Sequence, residues 1–232
     1  MKIFPVPFST EELTENFSCS TISSNQKIRD QAINFHKKGD LTKAVKYYQY
    51  LLDSGLKDPS IFSNYAIILF DLGNLEQAKK IALKAIEIKP DLAEAHNTLG
   101  NILGSLGKLK EAEKSFHKAI KLKPNLGNIY SNLGIILIDQ GNLTEAELML
   151  RKAIDIDPNS AIAHSNLGGT LIGLGKLNEA EKSLRKAIKL QPNYAEANFN
   201  LAFIELLKGN YNSGQEYYEF RFAKKKPSYL YA

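Results

Sequence analysis

Apolar and polar residues follow each other along this chain with the period of an amphipathic helix. In residues 93–107, apolar or small residues recur at the i, i+3, i+4 and i+7 spacing of a buried stripe: His96, Leu99, Gly100 and Leu103. A second stripe runs through residues 109–120, with Lys and Glu on the other faces. Gly107 lies where a helix can end in a left-handed residue, and Pro124 cannot continue the second helix because it lacks an N–H. The pattern predicts two amphipathic helices joined by a short turn.

This helix pair recurs with a period of 34 residues. The prolines that end the second helix keep this spacing: Pro90, Pro124, Pro158 and Pro192. Glycines at the end of the first helix extend the period to six copies: Gly39, Gly73, Gly107, Gly141, Gly175 and Gly209. An isolated helix of about 14 residues is marginal in water, so neighbouring copies must stack to bury their apolar faces. We expect an all-α solenoid whose units begin at residues 25, 59, 93, 127, 161 and 195.

The residues inside each unit resemble those of the tetratricopeptide repeat family, and the likeness covers residues 25–226. Unit 127–160 carries the family pattern at Tyr130, Leu133, Gly134, Leu137, Gly141, Ala146, Leu150, Ala153 and Pro158. The first unit departs from the pattern at Gln31 and Leu56, and the last unit departs at Glu205 and Arg221. The resemblance implies a right-handed superhelical α-solenoid of antiparallel helix pairs, with about six repeats.

The two ends of the chain lie outside the repeat pattern. Residues 1–24 form an N-terminal arm, in which Ser9 to Glu12 have the composition of a capping box that begins one short helix. A partly disordered arm fits these residues equally well. Residues 227–232 form a C-terminal tail.

Composition and charge are those of an ordinary soluble protein, with 44% hydrophobic residues, 24% charged residues and a net charge of +5. The single cysteine, Cys19, excludes an intramolecular disulfide and fits a reducing compartment. The first residues lack the continuous apolar core of about 7–15 residues that a secretion signal needs. No apolar run approaches the roughly 18–20 residues that cross a bilayer. We therefore expect a cytoplasmic protein without a membrane partner.

The family resemblance places a concave groove along the first helices. When each unit is numbered from its first residue, positions 2, 6, 9 and 13 lie opposite the buried stripe, because successive residues turn by about 100°. In the five units from residue 59, these positions hold polar, acidic and apolar residues but no Lys or Arg. Binding to nucleic acid needs basic residues at the contact surface. The same absence argues against clamping of a peptide carboxylate, so the groove favours neither ligand.

Position 6 carries asparagine in four of these five units: Asn64, Asn132, Asn166 and Asn200, with Asn101 one turn further in the unit that breaks the column. A side-chain amide both donates and accepts, so it can pair with a peptide group of any sequence. The column resembles the asparagine ladder in the repeat domain of the O-GlcNAc transferase. It predicts a peptide-binding groove in which Ile67, Ile135 and Phe203 add apolar contacts. The alternative is a structural role, because asparagine is common at this position of the family; a ligand role predicts that the amides are dispensable for stability.

No arrangement of residues indicates catalysis, a metal or a cofactor. His96 and His164 occupy the large buried position of units that are two repeats apart, so they cannot share a metal. The glycines follow the repeat period, and residues 168–176 miss the spacing of a phosphate-binding loop. We expect a protein that is not an enzyme.

Gly214, Tyr218, Glu219 and Arg221 resemble the closing repeat of bacterial repeat arrays that are fused to transferases, although Gln215 stands where those repeats carry Trp. A plain aromatic cap is the alternative. The sequence predicts a scaffold that binds an extended segment of another protein in its groove. The second reading is a docking or substrate-recognition module of a glycosyltransferase-like or other transferase system. A third reading is self-association through an exposed end of the solenoid.

Overall fold

A computed structural model describes residues 21–219, which fold into twelve α-helices without a strand in that range. The first helix of each unit is odd-numbered and the second is even-numbered. The helices are α1 (Thr21–Lys37), α2 (Leu41–Asp53), α3 (Pro59–Asp71), α4 (Leu75–Ile88), α5 (Ala93–Ser105), α6 (Leu109–Leu122), α7 (Gly127–Asp139), α8 (Leu143–Ile156), α9 (Ala161–Gly173), α10 (Leu177–Leu190), α11 (Ala195–Leu207) and α12 (Tyr211–Tyr218).

Each first helix ends at the glycine that the period predicts. Gly141 follows α7 with a φ of 80°, a conformation that costs a glycine little. Its N–H donates to the Ile138 carbonyl, and the Asn142 N–H donates to the Leu137 carbonyl at 2.8 Å. The second bond has the six-residue span of a Schellman motif, which satisfies carbonyls that the helix end leaves open. The second helix α8 ends at Ile156, just before Pro158.

Within a unit, the two helices approach closely where the first helix carries glycine at position 8. A Cβ atom added to Gly134 would lie 2.8 Å from the Leu150 Cγ, closer than carbon atoms pack. Gly100 and Gly168 face Phe116 and Leu184 in the same way. Glycine at this position therefore makes room for a large buried side chain from the second helix.

The helix pairs stack into one solenoid, as the sequence predicts. From α3 onward, each first helix contacts the first helix of the next unit, while within residues 21–219 consecutive second helices make no comparable contacts. Each second helix instead packs between its own first helix and that of the following unit. The first helices therefore lie on the inner, concave side of the stack. The buried residues form a nearly continuous core from Ile28 to Ile204.

The two histidines at position 4 have structural partners. The Nε2 atoms of His96 and His164 donate to the carbonyls of Pro90 and Pro158, at 2.9 and 3.1 Å. In the last unit Asn198 takes this place, and its Nδ2 donates to the Pro192 carbonyl at 2.9 Å. These side chains tie α5, α9 and α11 to the proline turns before them, and for the two histidines this agrees with the packing role that the sequence predicts.

Ion pairs connect the second helices α8 and α10 to the turn between the two helices of the following unit. Glu147 accepts from Arg151 at 2.9 Å and from Lys176 at 2.8 Å, and these hydrogen bonds hold the pKa of Glu147 below its usual range. Glu181 has the same arrangement with Arg185 and Lys208, and its pKa is lowered for the same reason.

The acidic residue Glu205 stands at a position that is apolar in the family pattern. It is only 3% exposed, yet it has two partners, because Arg185 and the Nδ2 of Asn210 both donate to its carboxylate. A buried carboxylate is tolerated when it is paired and hydrogen-bonded. The departure of the last unit from the pattern is therefore compensated by neighbouring side chains.

The described helices cover only part of the predicted domain plan, whose boundaries stay a prediction. Helix α1 begins at Thr21, before the predicted unit start at residue 25. The last described helix, α12, ends at Tyr218. The predicted arm up to residue 20, including the capping box at Ser9, lies outside the described residues. Arg221 of the last unit and the predicted tail, residues 227–232, also lie outside them.

We expect Gly134→Ala to lower the free energy of unfolding by about 1–3 kcal/mol, because the added methyl group overpacks the contact with Leu150. A second substitution, Leu150→Ala, should relieve that clash and recreate the Ala66–Ala82 pair that occupies the same two positions of another unit. Urea unfolding of the two single variants and the double variant measures the coupling.

Gly169→Ala is the matched control for this prediction. It lies inside α9, where an added Cβ would make only an ordinary contact of 3.4 Å with Asn200 Nδ2. Alanine favours a helix over glycine by about 1 kcal/mol, so this variant should be neutral or more stable. The packing explanation fails if Gly134→Ala behaves like the control.

Candidate functional site

The candidate site is the groove, which we define as positions 2, 6, 9 and 13 of α3, α5, α7, α9 and α11. Its side chains come from the first helices alone, because those helices line the concave side of the stack. Six of the eight predicted site residues are half-buried: Asn64, Ile67, Asn101, Ile135, Asn166 and Asn200. Phe203 is 47% exposed, whereas Asn132 is only 5% exposed.

Asn132 is the asparagine of the column whose side-chain amide is most fully engaged within the protein itself. Its Nδ2 donates to the Oδ1 atoms of Asn97 and Asn101, at 3.2 and 3.1 Å. Both partners lie on α5, the first helix of the preceding unit. Asn132 therefore fastens two neighbouring repeats together.

The other asparagines of the column also lie near the junction with the preceding unit. Asn200 Nδ2 lies 3.4 Å from the point where Gly169 would carry a Cβ. Asn64 approaches Tyr48. Burial raises the pKa of Tyr48, and the nearby Asn64 amide lowers it by a smaller amount. Asn166 Nδ2 is a buried atom without a hydrogen-bond partner.

The four amides of the column are therefore not equivalent, and their roles in binding or in stability stay a prediction. Asn132 is committed to a structural contact, while Asn166 has an unused donor and Asn64 and Asn200 retain partial exposure. Asn97 is a member of the cluster that the helical-wheel argument missed. Its signal in the sequence is the i, i+4 pair with Asn101, which places both amides on one helix face.

The charge of the groove is negative, as the sequence indicates. Glu94 pairs with Lys123; partial burial alone would raise the pKa of Glu94, but the lysine holds it below its usual range. Asp71 lies 3.7 Å from the Nε2 of His36. Asp139 has a pKa raised by partial loss of water, and within residues 21–219 no ion pair neutralises it.

Apolar side chains concentrate toward the end of the groove. Phe203 and Leu207 lie one helical turn apart on α11, and their side chains are 47% and 57% exposed. Ile135 and Ile162 add half-buried apolar surface on α7 and α9. An exposed apolar pair on a concave face is typical of a surface that binds a partner.

Other kinds of site find no support among the described residues. In the range 21–219, no group of three His, Cys, Asp or Glu side chains is arranged to hold a metal ion. The helices described there are also too short or too polar to cross a membrane.

Comparison with known proteins agrees with this architecture. The solved structure of Pseudomonas aeruginosa pilF superposes with a TM-score of 0.67 at 23% identity, covering 73% of this chain and 78% of that chain. YrrB, described as a TPR protein with an unusual peptide-binding site, gives a TM-score of 0.58 at 24% identity over 78% of this chain and 93% of its own. At these identities the likeness establishes the fold.

Curated relatives match a smaller part of this chain than the solved structures do. The mitochondrial import receptor subunit TOM70 of Saccharomyces cerevisiae is 27% identical over 96 residues, which is 40% of this chain and 15% of TOM70. The TPR repeat-containing thioredoxin TTL4 of Arabidopsis thaliana is 28% identical over 85 residues, covering 37% of this chain and 12% of TTL4. The chain thus spans a small fraction of the length of either relative.

Fold and groove together define a helical-repeat protein of the kind that presents a concave surface to a partner. Profiles of the tetratricopeptide repeat match residues 59–92, 91–159, 125–193 and 183–216, which together span about two thirds of the chain. The chain belongs to the tetratricopeptide repeat family, whose members typically mediate protein–protein interactions.

We expect Asn132→Ala to lower the free energy of unfolding by about 1–3 kcal/mol, because it leaves the carbonyl oxygens of Asn97 and Asn101 without their donor. Asn128→Ala is the control, since Asn128 is exposed one turn earlier on the same helix. Denaturant unfolding of the two variants compares the two sites. Equal stabilities would show that the Asn132 amide is free for a ligand after all.

Proposed function

We propose that this protein is a non-catalytic scaffold that binds an extended segment of another protein in its groove. The observation that carries the proposal is the exposed apolar pair Phe203 and Leu207, which continues a line of uncharged and acidic side chains along the concave side. An ordinary solvated helix face would be rich in Lys and Glu.

The spacing of the first helices suits an extended ligand. Packed helices lie about 8–10 Å apart, and an extended chain advances about 3.3 Å per residue. A bound strand that crosses the first helices therefore meets a new helix about every third residue. The half-buried side chain of Asn200 would then be available to its peptide groups.

Apolar contacts must supply much of the affinity. A hydrogen bond contributes about 0.5–1.5 kcal/mol net, whereas micromolar binding requires about 8 kcal/mol. With Asn132 committed to Asn97 and Asn101, fewer amides remain for the ligand. Fully burying an exposed Phe or Leu side chain contributes about 1.5–3 kcal/mol. Phe203 and Leu207 are 47% and 57% exposed, so each can gain roughly half of that, and they become the main anchors.

The names of two related proteins support the proposal, because both point to the binding of peptides or proteins. YrrB is described as having a peptide-binding site, and TOM70 is named as an import receptor subunit. Cytoplasmic location remains a prediction from the sequence.

The two alternative readings differ in their support. Gly214, part of the transferase-like closing pattern, has an ordinary packing role: a Cβ there would lie 2.7 Å from the Leu206 side chain. The docking module for a transferase therefore stays a prediction from the sequence. Self-association has a specific observation in its favour, because Leu206 and Tyr211 of the last described unit are 39% and 71% exposed.

A selection from a random dodecapeptide library displayed on phage tests the groove directly. We expect peptides enriched on the wild-type protein to bind the Phe203→Ala, Leu207→Ala double variant about tenfold or more weakly, because the apolar anchors are lost. Leu148→Ala is the matched control, since Leu148 is 62% exposed on a second helix, outside the groove.

Fluorescence anisotropy with a synthetic copy of an enriched peptide gives the dissociation constants. Equal binding by the wild-type protein and the double variant would contradict the proposal, as would a loss of binding in Leu148→Ala alone.

A further inference from the structure

We infer that the groove selects a partner segment that is both basic and apolar, with a Lys or Arg about five or six residues from a large apolar side chain. This inference rests on the proposed function and names the chemistry of the ligand for the same groove. It comes from three first helices, α7, α9 and α11, and from the side chains that they place next to one another.

Corresponding positions of these helices present contrasting groups. Position 9 and position 13 are Ile135 and Asp139 on α7, and Phe203 and Leu207 on α11. On each helix the two residues are four apart and share one face. The groove therefore has on α7 a wall that carries the carboxylate of Asp139 beside Ile135, which we call the acidic wall, and on α11 a wall with two exposed apolar side chains, the apolar wall.

The helix between the two walls carries no side chains at these positions. Residues 169 and 173 of α9 are both glycine. The nearest atom to a Cβ added at Gly173 is Leu143 Cδ1, at 2.9 Å, so a leucine of the preceding unit fills part of that space from below. At Gly169 the nearest neighbour is instead the polar Nδ2 of Asn200, at 3.4 Å from an added Cβ. The middle of the groove is therefore a shallow floor, apolar near Gly173 and polar near Gly169, over which a ligand chain can lie.

The separation of the walls sets the spacing in the ligand. Two steps between packed helices amount to about 16–20 Å. An extended segment covers that distance in about five or six residues. A segment whose apolar side chain contacts Phe203 and Leu207 thus places a residue five or six positions away beside Asp139.

The charge at the acidic wall calls for a cation. Asp139 is exposed at the end of α7, and in the part of the chain that the structure describes it forms no ion pair. Glu94, in contrast, is already paired with Lys123. Asp71 and Glu196 add negative charge at other groove positions, where Lys and Arg do not occur from α3 to α11. A ligand carboxylate would meet repulsion along this surface, whereas a Lys or Arg would be attracted.

The phage-selected dodecapeptides also provide the test, through their sequences. We expect a positive mean net charge relative to the unselected library, and enrichment of Lys or Arg five or six positions from Phe, Leu, Tyr or Ile. Asp139→Asn should raise the dissociation constant of such a peptide about three- to fivefold, the size of an exposed ion pair. Raising the salt concentration should diminish that difference.

Asp155→Asn serves as the matched control, because it removes another exposed carboxylate, from the second helix α8 outside the groove. The inference is overturned if the selected peptides are neutral or acidic, or if the Asp139→Asn and Asp155→Asn variants bind them alike. In that case, a loss of binding in the Phe203→Ala, Leu207→Ala double variant would still support the groove as the binding surface. If selected peptides bind without regard to Phe203 and Leu207, the proposed function itself fails.

Discussion

The close approach of the two helices within each repeat determines where this protein has a free surface. Position 8 of the first helix carries only glycine or alanine, and in unit 127–160 Leu150 of the second helix fills the space beside Gly134. That contact fixes which face of the first helix is buried. The next unit then covers the exposed side of the pair, and the first helices end up in contact along the concave side. The groove is what remains of their surfaces after both kinds of packing.

The groove and the junctions between repeats share side chains. Asn132 belongs to the same column as Asn166 and Asn200, yet it is almost fully buried and holds Asn97 and Asn101 on the preceding first helix. A residue at this position can therefore stabilise the stack, contact a ligand, or do both, depending on what the neighbouring unit offers. Because Asn132 is engaged in the stack, the exposed apolar pair Phe203 and Leu207 on α11 is expected to supply a larger share of the binding free energy.

Most of the fold is predictable from the sequence because its signals recur in register. Gly141 and Pro158 mark helix ends by backbone chemistry, and each has counterparts at the same spacing. The hydrogen-bond partners of individual polar side chains are harder to predict from the sequence. A helical wheel places Asn132 opposite the buried stripe, but it contains no information about the adjacent helix that covers it. The buried Glu205 appeared as a departure from the pattern, and the positions of Arg185 in the preceding unit and of Asn210 explain it.

A binding surface on the concave side, formed by the first helices, is the central claim of this account. Methyl resonances of Ile and Leu, recorded while a selected dodecapeptide is added, test it most directly. Ile67, Ile135, Ile162 and Leu207 report on the groove, whereas Leu83 and Leu148 report on exposed parts of the second helices. The account predicts that the groove methyls shift and that those of Leu83 and Leu148 do not. Shifts confined to Leu83 and Leu148 would contradict it.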